Sequence, residues 1–149
     1  MENFDFTQFI SFDSNISYDE AKKLVENTFI EDNFSIVEFD NMDEVKKNYY
    51  RDYWKKYTFE VQNDNFLCDF VEWENLNEVP ESILKVIKKL EEFSYICNSE
   101  IVFIICYFAE HMKTKNEVVY IPVNKLVNEF FKMSIHSFEC PDNLIIVVK

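Results

Sequence analysis

Apolar residues along this chain fall into short runs. Some alternate with polar residues, as in a strand, and others recur every three or four positions, as in a helix. The longest run is Ile101 to Phe108 (IVFIICYF), followed after a polar link by Val118 to Val123 (VVYIPV). The first run is β-branched and aromatic nearly throughout and far too short to cross a bilayer as a helix, so it reads as a strand buried on both faces. Periodicity alone leaves a helix over Ser99 to Met112 open, because an apolar run of this length satisfies both templates. Taken as strands, the two runs form a hairpin turned within AEHMKTKNE, where Asn116 is the residue best able to take a positive φ.

The rest of the chain supplies cover for that hairpin. Asn3 to Phe12 reads as an opening strand that bends near Gln8, because the alternation of Phe4, Phe6, Phe9, Ile10 and Phe12 slips there. Ser17 followed by Glu20 is a capping box, opening a helix to about Ile30 with Ala21, Leu24, Val25 and Phe29 on one face. Phe34 to Phe39 is a short strand. Asn41 with Glu44 repeats the cap pattern and predicts a helix to about Tyr57 that buries Val45, Tyr49, Tyr53 and Trp54 and stacks Lys47, Arg51 and Lys55. Thr58 to Gln62 and Asn65 to Trp73 predict a second hairpin turned at QNDN. Pro80 starts a helix whose apolar face is Ile83, Leu84, Ile87, Leu90 and Phe93. After Asn124 a helix carries Leu126, Val127, Phe130 and Phe131, and His136 to Cys140 with Leu144 to Val148 form a last pair of strands. The expectation is a single α+β domain over residues 1–149, with a mostly antiparallel sheet and about four helices packed on it.

Composition narrows the chemistry. The chain of 149 residues contains no glycine, which excludes the Walker A, GxGxxG and GxSxG turns, each of which needs a close backbone approach or a positive φ. Its 15 asparagines are the next-best residues for such turns. Cys68, Cys97, Cys106 and Cys140 are scattered without a CxxC pair, and with only two histidines they read as reduced, small apolar residues rather than as metal ligands. No cofactor and no metal is expected. The start MENFDFTQF lacks the basic-then-apolar pattern of a signal peptide, and no 20-residue apolar span occurs, so a cytoplasmic protein without membrane contact is expected.

The formal net charge of -13 is unevenly placed. Residues 1–45 hold twelve acids against two lysines, residues 46–59 hold five bases against one acid, residues 60–81 hold seven acids and no base, and residues 82–149 balance at eight and eight. Such a chain repels nucleic acid and attracts basic surfaces. The basic segment KKNYYRDYWKKY (Lys46 to Tyr57) interleaves cations with rings, as nucleotide-stacking surfaces do. Lying between two acidic blocks, it reads as local counter-charge, and no direct nucleic-acid contact is expected.

The acidic segment Phe59 to Glu78 is the candidate site. Glu60, Asp64, Asp69, Glu72, Glu74 and Glu78 surround Phe66, Phe70 and Trp73. An aromatic anchor among unpaired acids suits a basic protein partner, the ring giving affinity and the acids giving rate and orientation. The competing reading is an edge hairpin whose charges prevent aggregation. Catalytic groups are thin. His136 and Cys140 lie about 13 Å apart if both are on one strand, His111 beside Glu110 reads as a solvated turn residue, and Glu44 with Lys46 points apart on a helix. No enzyme is expected.

The tyrosine-and-tryptophan segment YYRDYWKKY, followed later by IVFIICYF and then EVVYIPV, is similar in order to some contact-dependent-inhibition immunity proteins, although the helix at Pro80 to Phe93 interrupts that order. The resemblance implies inhibition by occupying a basic active site. The function expected is therefore a non-catalytic, acidic, protein-binding inhibitor, an immunity or antitoxin-like protein directed at a basic, nuclease-type toxin. The alternative is a phage or mobile-element protein that mimics nucleic-acid charge against a DNA- or RNA-binding host factor. A third class is an uncharacterised small enzyme.

Overall fold

The computed structural model describes residues 4–29, 34–63, 73, 77–97, 100–109, 117–135 and 142–148. The fold is α+β. Its strands are β1 (Phe4–Phe12), β2 (Phe34–Glu38), β3 (Tyr57–Asn63), β4 (Ile101–Ala109), β5 (Glu117–Pro122) and β6 (Asp142–Val148), in one sheet of order β2-β3-β1-β4-β6-β5. Four pairings are antiparallel and one, β5 with β6, is parallel. Three helices of ten or more residues, α1 (Tyr18–Phe29), α3 (Glu81–Ile96) and α4 (Leu126–Ile135), supply the cover of one face, while α2 (Glu44–Tyr49) is a short helix on the other. The expected four helices on the sheet thus reduce to three, because the segment around residue 50 does not sustain a helix.

The long apolar run is a strand, as its β-branched content requires. Its partner is not the one expected. β4 and β5 do not pair as a hairpin; β6 lies between them, antiparallel to β4 and parallel to β5. A parallel neighbour needs a crossover connection, and α4 supplies it. The arrangement also suits the strands. Pro122 lacks an N–H, and Tyr120 is 62% exposed, so β5 belongs at an edge, whereas the apolar sequence LIIVV suits a central position. The alternation that slips near Gln8 does not interrupt the strand. β1 runs unbroken, with Gln8 opposite Val61 on one side and Ile105 on the other. The ladder with β4 runs from Phe4 to Ser11 and that with β3 from Gln8 to Phe12, so pairing carries the strand through the position where its own pattern falters.

Strand alternation sorts the core. Ile10, Phe12, Tyr57, Phe59, Val61, Ile101, Phe103, Ile121 and Val147 form one cluster with Ala21, Val25, Ile83, Val86, Ile87, Leu90, Phe93, Leu126 and Phe130 from the three helices. Phe9, Val102 and Ile104 form a second, smaller cluster with Met42 and Tyr50, edged by Val37, Phe39, Tyr53 and Trp54. Each large apolar side chain so buried stabilises the fold by about 1.5–3 kcal/mol.

Local signals hold for α1. The Glu20 amide donates to Ser17 Oγ at 3.2 Å, the N-cap half of the expected box. On α3, Ile83, Ile87, Leu90 and Phe93 are buried as expected, but Val86 takes the place of Leu84, which is 46% exposed. The helix predicted from Asn41 to Tyr57 breaks into three pieces. A single turn at Phe39–Asn41 precedes α2, which starts with Asp43 accepting from the Val45 amide at 2.8 Å, and a further turn at Arg51–Tyr53 follows. The break rotates the register, so Val45 is 60% exposed and Tyr50 is buried. The expected strands at Asn65 to Trp73 and His136 to Cys140 lie outside the described residues, apart from Trp73.

Candidate functional site

Of the candidate site residues, Asp64, Asp69, Glu72 and Glu74 lie outside the described residues, as do Phe66 and Phe70. The remaining three, Glu60, Trp73 and Glu78, are not on one open face. Glu60 sits mid-strand in β3, opposite Phe9 and Val37, and is only 4% exposed. Its position between Phe59 and Val61 puts it on the face away from the three long helices. Trp73 is 3% exposed and belongs to the helical-side core, with its ring edge-on to Phe131 at 5.0 Å. Glu78 is exposed.

What gathers around Trp73 is a groove of ≈ 270 Å³ between the approach to α3 and the outer face of α4. Trp73 and Phe131 are its rings, Val79 and Val127 its apolar wall, and Glu78 its carboxylate. Trp73 is therefore a floor that the groove rests on rather than a projecting anchor. Phe131, 37% exposed, is the more accessible of the two rings. Sequence reading grouped Phe131 with Leu126, Val127 and Phe130 as the apolar residues of this helix without separating them. Adjacent helical residues point about 100° apart, and Phe130, stacked on Phe103 at 6.1 Å, takes the inward direction. That geometric exclusion is the signal that singles Phe131 out.

A second assembly lies at the opposite edge of the sheet. The Tyr18 hydroxyl donates to Glu38 Oε1 at 2.7 Å, and Lys22 Nζ reaches the same carboxylate at 3.1 Å, tying α1 to edge strand β2. Burial and the bond to Glu38 push the Tyr18 phenol up to about 12. The bonds from Tyr18 and Lys22 hold the Glu38 carboxyl below its ordinary value, and Glu38 in turn raises the Lys22 ammonium. The sequence carried no sign of this network, because its three members come from two separate elements whose packing only the fold decides.

The catalytic candidates His111, Glu110, His136 and Cys140 lie outside the described residues. Glu44 is bound to Lys47 at 3.4 Å. Cys97 is buried in the helical-side core. Among the described residues no cluster of three or more His, Cys, Asp or Glu side chains is placed to hold a metal ion, and no helix is long and apolar enough to cross a membrane. Comparison with protein-family models, with curated proteins and with solved structures finds no match to this chain.

Proposed function

We propose that this protein works by binding rather than by chemistry, as an acidic inhibitor that occludes a basic protein partner. The partner class that fits best is a cationic, nuclease-type toxin domain, which makes the protein immunity- or antitoxin-like. The observation that carries this reading is the groove at Trp73, where an exposed ring, Phe131, stands beside an exposed carboxylate, Glu78. An arginine or lysine side chain suits it, laying its methylene stem along the ring and its charged head against the carboxylate. The net charge of -13 draws a cationic partner toward the surface before contact. In this proposal Asp64, Asp69, Glu72 and Glu74, which flank Trp73 in sequence, add to that attraction, while Glu60 is set apart by its burial.

The test begins with affinity capture at low salt and continues with the isolated partner. Phe131→Ala should raise the off-rate and weaken binding by about 2 kcal/mol with little change in salt dependence, as loss of a desolvated anchor does. Glu78→Lys should instead slow association and flatten its dependence on ionic strength. A captured partner that binds both folded variants as tightly as the parent, or one that is acidic, overturns the proposal.

A further inference from the structure

The edge of the sheet at β2, far from the groove, is where the two faces meet, and a cleft of ≈ 330 Å³ opens there. Its walls are three rings. Tyr18 comes from the start of α1, where it also touches the Tyr57 and Phe59 rings of the helical side. Phe39 and Trp54 come from the other face and meet edge-on at 6.0 Å. Two of them are fixed from behind. The Trp54 Nε1–H donates to the Lys47 carbonyl at 2.9 Å, its ring is flanked by Phe9 and Tyr50, and Tyr18 is held by Glu38. The cleft is thus preformed, which limits the ordering cost of filling it.

Its charged lining is bipolar. Lys55, Lys56 and Asp40 all line it, and Lys47 Nζ donates to the Asp40 carbonyl at 3.2 Å, leaving the carboxylate to the cleft. The two lysines are placed by their backbones. The Lys55 amide donates to Ser11 Oγ at 2.7 Å, the Thr58 hydroxyl donates to the Lys55 carbonyl at 3.1 Å, and the Lys56 amide donates to Asp13 at 2.9 Å. Their ammonium groups, like those of several other lysines, make no ion pair with any described residue. Lys56 Nζ instead stands 5.0 Å over the Tyr57 ring.

We propose that this cleft binds a small zwitterion with a flat apolar body, the chemistry of a free aromatic α-amino acid. The ring lies among Tyr18, Phe39 and Trp54, the carboxylate faces Lys55 and Lys56, and the ammonium faces Asp40. Charge decides between ligand classes. A phosphate dianion gains from the lysines but is opposed by Asp40 and by the surplus of acids, whereas an amine gains from Asp40 and is opposed by the lysines. A molecule of zero net charge uses both ends and carries no long-range penalty. A cleft near the small end of the range for ligand sites suits one ring and a short tail, for which a Kd of about 0.1–1 mM is reasonable.

The test is titration of the full-length, ¹⁵N-labelled chain with L-phenylalanine, followed by amide NMR shifts. Saturable shifts are expected at Phe39, Asp40, Lys55 and Lys56. 3-Phenylpropionate, which lacks the ammonium, and phenethylamine, which lacks the carboxylate, should each bind about tenfold more weakly, about 1.4 kcal/mol for one lost charge-assisted contact. Lys55→Gln and Asp40→Asn should weaken phenylalanine by a similar factor, with Lys85→Gln as the unaffected control. The amide spectra themselves show that each variant is folded. The proposal is overturned by the absence of saturable shifts with phenylalanine. It is equally overturned if 3-phenylpropionate or guanosine monophosphate binds as tightly, which would make the cleft a simple anion site.

Discussion

The two faces of the sheet bury rings by different means. On the helical side, α1, α3 and α4 bring apolar stripes down onto Ile10, Phe59, Phe103 and their neighbours, and the polar side chains buried among them are few, Gln8 opposite Val61 and Ser94 on α3. On the other side there is no long helix among the described residues. Phe9, Val102 and Ile104 are covered by α2 and the turns around it, chiefly through Met42, Tyr50 and the half-buried Trp54. Polar groups also enter. Ser11 and Thr58 are buried and bond to each other at 2.7 Å, with the nearly buried Glu60 two residues along from Thr58. Regular elements cover a sheet by periodicity, while short irregular ones do so by fixing individual rings with individual hydrogen bonds. The second kind of cover leaves clefts at its seams, and the cleft at Trp54 is one.

The strongest challenge to this contrast is a charge placed under the thinner cover. Ile104→Asp should abolish soluble expression, since an unpaired buried carboxylate costs several kcal/mol, on the order of a whole domain's stability. A normal soluble yield would show that the far face is wet and not core. Next come paired truncations on the two sides. Phe103→Ala removes a ring stacked on Phe130 and should cost about 3–5 kcal/mol in urea unfolding. Trp54→Ala removes a half-buried ring and its bond to the Lys47 carbonyl and should cost less, about 2 kcal/mol. Equal losses would mean that both faces carry the same share of the stability. Ser11→Ala is smaller again, at about 1–2 kcal/mol, because it withdraws the acceptor of the Lys55 amide and the partner of Thr58. If it were silent in the same unfolding experiment, the polar pins would be ornaments of the face and not its fastening.

How far the sequence could be read follows the same division. Ser17 with Glu20, and the spacing of Ile83, Ile87, Leu90 and Phe93, announced α1 and α3 because caps and a 3.6-residue period are local properties. The long run IVFIICYF announced a strand for the same reason, though not its neighbours. Whether β5 or β6 lies beside it depends on where α4 docks, a non-local matter that leaves only faint traces, such as Pro122. The segment from Asn41 to Tyr57 misled because Val45, Tyr49 and Tyr53 satisfy a helical template. In the fold the chain breaks near Tyr50, where burying that ring against Phe9, 5.6 Å away, takes precedence over continuing the helix. The candidate site was legible only as a neighbourhood. Trp73 and Glu78 do border one groove, but composition has no term for depth, so it could not distinguish a projecting ring from a floor, nor Glu60 from an exposed acid.

The smallest expected effect lies at the seam itself, where Tyr18 and Lys22 share Glu38. A phenol raised from its ordinary 10.0 to about 12 favours the folded state fully below about pH 10 and loses that contribution as pH climbs through 12. The raised Lys22 ammonium acts in the same direction above its ordinary value of 10.5. Glu38 works oppositely: its lowered carboxyl contributes above its ordinary 4.5, and the contribution is lost as pH falls through the depressed folded value. The network should therefore give a stability plateau between about pH 4.5 and pH 10, with shallow shoulders outside it because its members are partly solvent-exposed. Titration of the Tyr18 ring carbon by ¹³C NMR reads the local event without requiring the whole protein to unfold. Glu38→Gln should lower the Tyr18 midpoint below 12 and yet leave it above 10, because burial, the largest cause of the shift, survives the substitution while the carboxylate's share does not. A parent protein whose Tyr18 already titrates at 10 would show that α1 is not tied to β2 through this carboxylate.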